Sequence, residues 1–376
     1  MSGLEPAEVR LLDVARRAGV SESTASRVLA GSRPVRATLR DRVLESATAL
    51  AYTPNPHARA LARARDATIA LVVHDITDPY FSEITRGALE SARASGRTVL
   101  VSDTGRHPAL ELETVRRARA RRVEALVLAG SGSSDAGTSR RLATELRAYE
   151  RAGGRVAVVG RHLAGGDCVR PDNVAAGRLL GEHVAELGHR SVAVITGPGG
   201  LTASDDRLAG LLGALAASGV DAGHVQLASG AFSRDGGERA AAELLDAMPG
   251  LTALVALNDQ MAIGALAALR ARRRAVPGDV ALCGVDDIPI ARDLEPGLTT
   301  VRVPMAELGR RAVELVLGET VPVRRDERLG VELVVRASTA QPGRAQPGRA
   351  QPGARDSGDE PSGPRAGDGR EGGWSR

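Results

Sequence analysis

Short, almost continuous runs of apolar residues recur between Thr68 and Val285, and they constrain the fold more than any other feature. The runs are TIALVV, TVLV, EALVLA, RVAVVG, SVAVIT, HVQLAS, LTALVAL and DVALCGV, about 25–35 residues apart. A helical pattern lies between most pairs. Uninterrupted apolar strands that alternate with helices indicate parallel sheets covered on both faces. The eight strands therefore form one large sheet or two smaller ones, and a ligand is expected at their carboxyl ends.

A second pattern precedes these runs, in the stretch LLDVARRAGVSESTASRVLA from Leu11 to Ala30. It predicts two short helices joined by a turn at Gly19, because glycine adopts left-handed conformations at little cost. Ser21 is the expected N-cap of the second helix. The exposed face of that helix carries Glu22, Ser23, Ser26 and Arg27, which is typical of a helix-turn-helix. An ordinary helical hairpin is the alternative.

Three further segments lie outside this arrangement and the apolar runs. A third helix is expected from Thr38 to Leu50, packed across the first two. Asn55 and Pro56 then begin the basic segment HARALARA, whose one large apolar side chain is Leu61, so it should fold only against a partner. From about Ala340 the chain repeats Q-P-G-R-A and continues with Gly, Pro and charged residues, a composition that predicts disorder.

The charge of the chain is unevenly distributed. The net charge is +4 over 376 residues, yet residues 1–65 alone carry 11 arginines against six acidic residues. A basic head on a nearly neutral body suits contact with nucleic acid at one end. Two cysteines without metal-site spacing favour a reducing compartment, and no signal peptide or 18-residue apolar run occurs. We therefore expect a cytoplasmic protein that contacts no membrane and uses no metal or other cofactor.

Several stretches together resemble one family, the LacI/GalR transcriptional repressors. The head matches from Leu11 to about Ala62, and the body matches in DPYFSEITRGAL, PDNVAAGRLLGEHVAELGHRSVAVITGP, SDDRLAG, LNDQMAIGAL, CGVDDIPIARDLEPGLTTVRVP and VELVVRAST. The motifs have the order and spacing of that family across roughly Leu11 to Thr339.

The resemblance implies an N-terminal all-α helix-turn-helix head and an α/β, periplasmic-binding-protein-like core of two Rossmann-like subdomains, followed by the disordered C-terminal tail. The expected boundaries are 1–54 for the head, 55–66 for a hinge helix and linker, 67–338 for the core and 339–376 for the tail. Within the core, the first subdomain is expected from about Thr68 to Gly166 and the second from Asp167. The family's homodimers further imply a pseudo-palindromic double-stranded DNA operator.

Matching positions also imply a set of DNA contacts. Glu22, Ser23 and Arg27 match base-reading positions, whereas Ser21, Thr24 and Ser26 are expected to bind the phosphate backbone. Arg27 can bond both acceptors of guanine, with a phosphate contact as its alternative. Glu22 either accepts a hydrogen bond from the cytosine amino group or only disfavours binding to other DNA sequences. In the matched hinge helix, Asn55, Ala58 and Leu61 approach the minor groove, and Leu61 wedges between base pairs unless it merely packs its own linker.

A second matching set implies the ligand site. Arg207, Asn258 and Asp286 match residues that bond ligand hydroxyls, and Phe232 matches an aromatic position that stacks on sugar rings. Asp78, Tyr80 and Phe81 follow the first strand and face the same cleft. Asn258 can instead cap a helix, and Asp286 with Asp287 can hold a turn. Some sugar-responsive members of the family carry a carboxylate where this chain has Gly160-Arg161, and a polar amide where it has Val303. The ligand is therefore expected to be smaller, less hydroxylated or partly anionic, and Arg161 can meet a phosphate or acid group.

The leading hypothesis is a repressor released from its operator by a small, sugar-like effector. A co-repressed purine-type regulator and an activator are the alternatives inside the family. A solute-binding protein fits the body but not the head. An enzyme is disfavoured because G-x-S-x-G, H-E-x-x-H, P-loop and C-x-x-C patterns are absent from the sequence. The glycine-rich GPGG at Gly197 lacks the spacing of a dinucleotide-binding loop.

Overall fold

The computed structural model describes residues 9–30, 35–52, 66–162, 165–221, 223, 225–319, 321 and 323–343. The N-terminal part contains helices α1 (Leu11–Ala18), α2 (Glu22–Ala30) and α3 (Ala37–Ala49). They enclose a small core of Val14, Ala15, Ala18, Ala25, Val43 and Ala47. Gly19 ends α1 with a φ of 64°, as the sequence predicts. Helix α3 begins before Thr38, which lies in its first turn and does not cap it.

The strands of the described residues form two six-stranded sheets. They are β1 (Asp66–Val73), β2 (Thr98–Asp103), β3 (Val123–Ala129), β4 (Arg155–Val159), β5 (Asp167–Pro171), β6 (Val192–Thr196), β7 (Val225–Ser229), β8 (Ala253–Ala256), β9 (Ala281–Asp286), β10 (Thr299–Arg302), β11 (Asp326–Leu329) and β12 (Glu332–Val334). The first sheet has the order β11-β5-β4-β3-β1-β2 and the second has the order β12-β10-β9-β8-β6-β7. All are parallel to their neighbours except β12.

Helices cover the faces of both sheets. They are α4 (Pro79–Ala94), α5 (Pro108–Ala120), α6 (Ala136–Arg151), α7 (Asn173–Glu186), α8 (Thr202–Ala217), α9 (Arg234–Ala247), α10 (Asp259–Ala271) and α11 (Met305–Leu317), with a 3₁₀ turn at Pro289–Arg292. Central strands are buried on both faces, so their residues are almost all apolar: β8 and β9 are buried at every position. In the described residues, no helix has the length and apolar character needed to cross a bilayer.

The structure corrects the expected division between the two halves. Strand β5 pairs with β4 in the first sheet, and β11 pairs with β5 there, so the second half does not begin at Asp167. Strand β12 returns to the second sheet beside β10. The chain therefore crosses between the sheets after β5, after β10 and between β11 and β12. These crossings connect the two halves at one side of the cleft between them.

The predicted outer boundaries shift by a few residues. Strand β1 begins at Asp66, which was expected in the linker. The chain also remains packed beyond Val335: the Ser338 hydroxyl accepts from Thr299 N at 2.8 Å, and Thr339 Oγ1 lies 3.0 Å from His183 Nε2. Ordered structure thus extends past the predicted start of the tail at residue 339. The rest of that predicted disordered tail, from residue 344, lies outside the described residues.

Candidate functional site

The first candidate site is the exposed face of helix α2. Ser21 Oγ accepts a hydrogen bond from Thr24 N at 3.2 Å, which confirms the predicted N-cap. The same hydroxyl lies 3.0 Å from Ser23 Oγ and 2.8 Å from Thr24 Oγ1. Glu22 and Ser23 are exposed, whereas Thr24 and Ser26 are half-buried. The start of the helix therefore presents a row of hydroxyl groups, which suits contact with phosphate oxygens.

Arg27 lies one turn further along this helix. Its Nε donates to the carbonyl oxygen of Ser23 at 3.1 Å, and its Nη2 lies 3.5 Å from Thr24 Oγ1. The side chain therefore lies along its own helix. None of the carboxylates in the described part of the chain forms an ion pair with it, so both Nη groups can turn outward to a base edge or a phosphate. The expected hinge residues Asn55, Ala58 and Leu61 lie outside the described residues.

The second candidate site is a cleft between the carboxyl ends of the two sheets. The loops after β1, β2 and β3 form one wall, and those after β6, β7, β8 and β9 form the other. The space measures about 400 Å³ out to its open mouth. The lining residues are His74, Asp78, Tyr80, Phe81, Arg106, Ser131, Leu201, Ala203, Arg207, Phe232, Asn258 and Asp286. Ligands in parallel α/β sheets bind at such an edge.

A buried ion pair forms the floor of this cleft. Arg207 Nη2 donates to Asp286 Oδ1 at 3.0 Å, and both side chains are 4% exposed. Arg207 also donates from Nε to Asn173 Oδ1 at 2.9 Å and from Nη1 to the Leu257 carbonyl oxygen at 2.6 Å. Burial raises the pKa of Asp286 to about 7, against the lowering effect of the Arg207 charge. Each Nη group of Arg207 keeps a second hydrogen that can reach a ligand oxygen.

A second ion pair lies in the opposite wall. Arg106 Nη2 donates to Asp78 Oδ2 at 3.1 Å, while Asp78 Oδ1 caps α4 by accepting from Tyr80 N. Burial raises the pKa of Asp78, and the Tyr80 and Arg106 hydrogen bonds lower it. The guanidinium carbon of Arg106 lies 5.7 Å from the ring centres of both Phe81 and Phe232. Because Phe232 belongs to the far wall, Arg106 spans the cleft.

Three of the six aromatic residues of the chain, Tyr80, Phe81 and Phe232, line this cleft. The chain has only two phenylalanines, and both line it. Phe232 can pack there because Gly197 lies beneath its ring: a Cβ at residue 197 would come within 2.2 Å of the Phe232 ring. This close approach explains the first glycine of the GPGG motif. Flat apolar rings beside paired charges are the combination that holds a sugar between its ring face and its hydroxyl edge.

Seven of the eight predicted ligand residues line the cleft, and Arg161 does not. Arg161 forms a two-point ion pair with Asp206 on the other half of the core, at 3.0 and 2.7 Å. Its carbonyl oxygen accepts from Thr202 Oγ1 at 2.9 Å. The Arg161 guanidinium therefore links the two halves of the core, and its contact with an anionic group of the ligand stays a prediction. Beside it, Ser134 N donates to the Gly200 carbonyl oxygen at 2.8 Å, so the last glycine of GPGG takes part in the same link.

Two alternative roles foreseen from the sequence also occur. Asn258 Oδ1 accepts from Met261 N at 2.9 Å, so this residue both caps α10 and lines the cleft. The Asp287 carboxylate accepts from Arg302 and Arg336, which holds the end of β9 to β10 and to the chain after β12. Asp286 therefore faces the cleft while its neighbour has a structural role.

Sequence reasoning missed five lining residues: His74, Arg106, Ser131, Leu201 and Ala203. His74 carried a signal, since it is the first polar residue after the apolar run of β1 and therefore stands at the carboxyl edge. Its burial lowers its pKa to about 3, so it is a neutral hydrogen-bonding group at pH 7. Arg106 carried no such signal. The chain is rich in arginine and contains no lysine, so one more arginine in a loop does not stand out in the sequence.

Two family profiles match the chain. Residues 10–55 match the profile described as bacterial regulatory proteins of the lacI family, and residues 182–339 match a periplasmic binding protein-like domain. The transcriptional regulator GalS of Salmonella typhimurium is 35% identical over 311 residues, which are 82% of this chain and 89% of that protein.

Two solved structures extend the similarity. A lac repressor dimer bound to operator and the anti-inducer ONPF superposes with a TM-score of 0.76 at 26% identity, over 88% of this chain and 99% of that one. The complex of the transcriptional regulator CelR with cellobiose gives a TM-score of 0.64 at 31% identity, with the same coverage of both chains. Both matches extend over the head as well as the core.

Proposed function

The chain belongs to the LacI family of bacterial transcriptional regulators, and we propose that it is a cytoplasmic repressor released from its operator by a neutral, sugar-like effector. The residues that line the cleft support this class of effector. Both phenylalanines of the chain line it, beside two arginines and two aspartates whose charges cancel in pairs. The similar CelR protein holds cellobiose, which supports the same class of ligand here.

The charge balance argues for a ligand without net charge. Arg207 is matched by Asp286 and Arg106 by Asp78, so an added anion or cation would lack a free partner. Arg161, the one cation that favoured an anionic ligand, is held by Asp206 outside the cleft. The arginines donate, the aspartates accept and the Asn258 amide does both, which suits adjacent hydroxyl groups.

The position of the cleft between the two halves supports a coupling mechanism. A ligand held by Asp78 and Phe81 on one wall and by Arg207 and Phe232 on the other binds best at one separation of the walls. Strand β1, which leads back to the head, belongs to the first wall. Ligand binding therefore favours one arrangement of the two halves, and the heads depend on that arrangement to fit the operator. The strength of this coupling is the difference in ligand affinity between the two arrangements.

A homodimer would present two heads to a two-fold symmetric operator. We propose that the edge strands β2 and β7 lie in the dimer interface. They expose Leu100 and Val101 in the first sheet and Leu227 in the second, all more than 40% accessible in the single chain. Unpaired edge strands with exposed apolar side chains are normally covered in a soluble protein. A two-fold axis along this side would pair the two heads, as a pseudo-palindromic site requires.

For the hinge, we propose that Leu61 wedges between base pairs of the central operator. Replacing Leu61 with alanine is expected to weaken operator binding severalfold or more, because the wedge stabilises the bent duplex that offers further contacts. Binding to random duplexes should change little, since it rests on phosphate contacts. Gel-shift titrations with an operator selected from a random pool would measure both. Equal operator affinity for the two proteins would contradict the wedge, and Leu61 would then pack only its own linker.

The effector class is tested by thermal shift with cellobiose, galactose, ribose, a nucleobase and a sugar phosphate. At about 100 times its Kd, a ligand adds about 2.7 kcal/mol of stability, a shift of roughly 5 °C or more. We expect a neutral sugar to produce it. Phe232→Ala should then weaken binding of that sugar tenfold or more, because a stacking face is lost. Arg161→Met is the matched comparison and should leave the affinity within about twofold. Stabilisation only by the nucleobase or the sugar phosphate would contradict a neutral sugar effector.

A further inference from the structure

The edge of the first sheet at which its strands begin has a special position in the molecule. All six strands of that sheet run parallel, so their first residues lie along one edge. Strand β1 begins there at Asp66, and Val123, the first residue of β3, is its register partner. The DNA-binding head is joined to the core through residues 53–65, which end at this same point. Thirteen residues span at most about 45 Å when extended, so this edge stays near the bound duplex.

Four exposed arginines lie along this edge, which we call the arginine rim: Arg93, Arg121, Arg122 and Arg151. Arg121 and Arg122 form the turn before β3, directly beside the start of β1. Arg93 lies in the last turn of the helix before β2, on the other side of β1, and Arg151 ends the helix before β4. Within the described ranges, no carboxylate forms an ion pair with any of the four. The rim therefore brackets the strand that carries the head.

The four rim arginines differ from other arginines near the same edge, which form ion pairs. Other arginines near this edge are neutralised by carboxylates: Arg97 by Glu124, Arg119 by Glu145, Arg324 by Glu150 and Arg325 by Asp167. The exposed carboxylate of Glu319 opposes the rim in part. After pairing, the described side chains of this edge keep an excess of positive charge.

The corresponding edge of the second sheet is mixed in charge. Exposed Arg190 and Arg273 there alternate with exposed carboxylates of Glu186, Asp221, Glu243 and Asp279. Two rim residues, Arg93 and Arg151, also complement the negative ends of their own helices. Helix ends attract positive charge equally at the starting edges of both sheets. The helix dipole therefore does not account for the excess of positive charge at the edge of the first sheet alone.

We propose that the arginine rim binds the phosphate backbone of the DNA that flanks each half-site, so that the core adds to the grip of the head. The proposal rests on operator binding by the heads, which it extends. In the dimer the rim supplies eight arginines beside the two points where the heads are attached. Guanidinium groups that form no ion pair among the described residues suit phosphate oxygens, and such contacts raise affinity without reading sequence.

The test compares two duplexes centred on the same selected operator, with the full-length protein. The short duplex, about 18 bp, holds only the two half-sites, whose centres lie about one helical turn apart, and the long one extends to about 40 bp. The variant is R93Q/R121Q/R122Q/R151Q. We expect it to bind the long duplex about tenfold more weakly than the unmodified protein and the short duplex within about twofold. The slope of its salt dependence on the long duplex should fall by about 0.9 for each phosphate that the variant no longer neutralises.

A control variant with the same change of charge is R140Q/R141Q/R239Q/R273Q, whose arginines are exposed, lie away from the rim and form no ion pair in the described residues. It should bind both duplexes as the unmodified protein does. Gel filtration would verify that both variants remain dimers. Equal weakening of the rim variant on the short and long duplexes would overturn the proposal, because the arginines would then act on the hinge. No weakening on either duplex would overturn it as well. Failure of the unmodified protein to select any operator would instead contradict the proposed function.

Discussion

Replacing Arg207 with methionine is expected to lower the free energy of unfolding by about 3–5 kcal/mol and to abolish effector binding. The change leaves Asp286 buried without its counter-ion, and it removes the donors to Asn173 and the Leu257 carbonyl oxygen. An uncompensated buried charge is among the costliest single changes in a folded protein. Urea denaturation at pH 8 would measure the change in stability, and thermal shift with the stabilising sugar would measure the effector response.

Two comparisons assign that destabilisation to the buried charge. The pKa of Asp286 is already raised by burial to about 7, and removal of the Arg207 charge should raise it further. A carboxyl whose folded pKa exceeds its unfolded value stabilises the fold at low pH and loses this effect as the pH rises through the folded pKa. The deficit of the variant should therefore be smaller at pH 5.5 than at pH 8. R207M/D286N should also recover part of the stability at pH 8. A constant deficit at both pH values, with no recovery, would contradict this explanation.

The control for this prediction is the partly exposed ion pair that links the two halves outside the cleft. Arg161 and Asp206 are 41% and 21% exposed, so their attraction is screened by solvent. Arg161→Met is expected to change stability by no more than about 1 kcal/mol.

Replacing Arg27 with alanine should weaken operator binding by about 1–3 kcal/mol, a factor of roughly 5 to 150. Within the described residues, the side chain of Arg27 is held only by its own helix. A guanidinium that bonds two acceptors of guanine reads one base pair, so the effect should be largest on the preferred sequence. Titrations with the selected operator, and with variants of it at each position, would show which base pair is affected.

Arg27→Lys separates base reading from phosphate binding. Lysine keeps the charge but lacks the planar fork. We expect it to lose most of the operator preference at one base pair while it keeps binding to random duplexes. Full operator affinity in the lysine variant would contradict base reading and would assign Arg27 to a phosphate.

The fold could be predicted from sequence where burial leaves a continuous apolar pattern. The eight apolar runs became strands β1–β4 and β6–β9 of the two sheets. Strands β5, β10, β11 and β12 escaped that pattern, because short segments such as DCVRP and DERL contain charged residues and form no continuous apolar run. Their pairing depends on neighbours far along the chain, which periodicity does not reveal. Strand β5 was assigned to the wrong half, because its sequence does not show which sheet it joins.

The cleft could be predicted because its residues follow strand ends and match family positions. Seven predicted residues line it, although ligand contact itself stays a prediction. Arg161 also follows a strand, β4, yet its side chain is bound by Asp206 from α8. The sequence shows which loop holds a residue but not which partner crosses to meet it. The same limit explains Arg106, whose position between Phe81 and Phe232 depends on both halves of the core.

The most direct test is the affinity of the dimer for its selected operator, measured with and without a saturating amount of the sugar that stabilises the core. A metabolite that changes the separation of the cleft walls should also change the fit of the two heads to the operator. The expected result is a Kd for operator about 5- to 150-fold higher with the sugar, with binding to random duplexes little affected. An unchanged operator Kd at saturation, or equal affinity for operator and random DNA, would contradict the account.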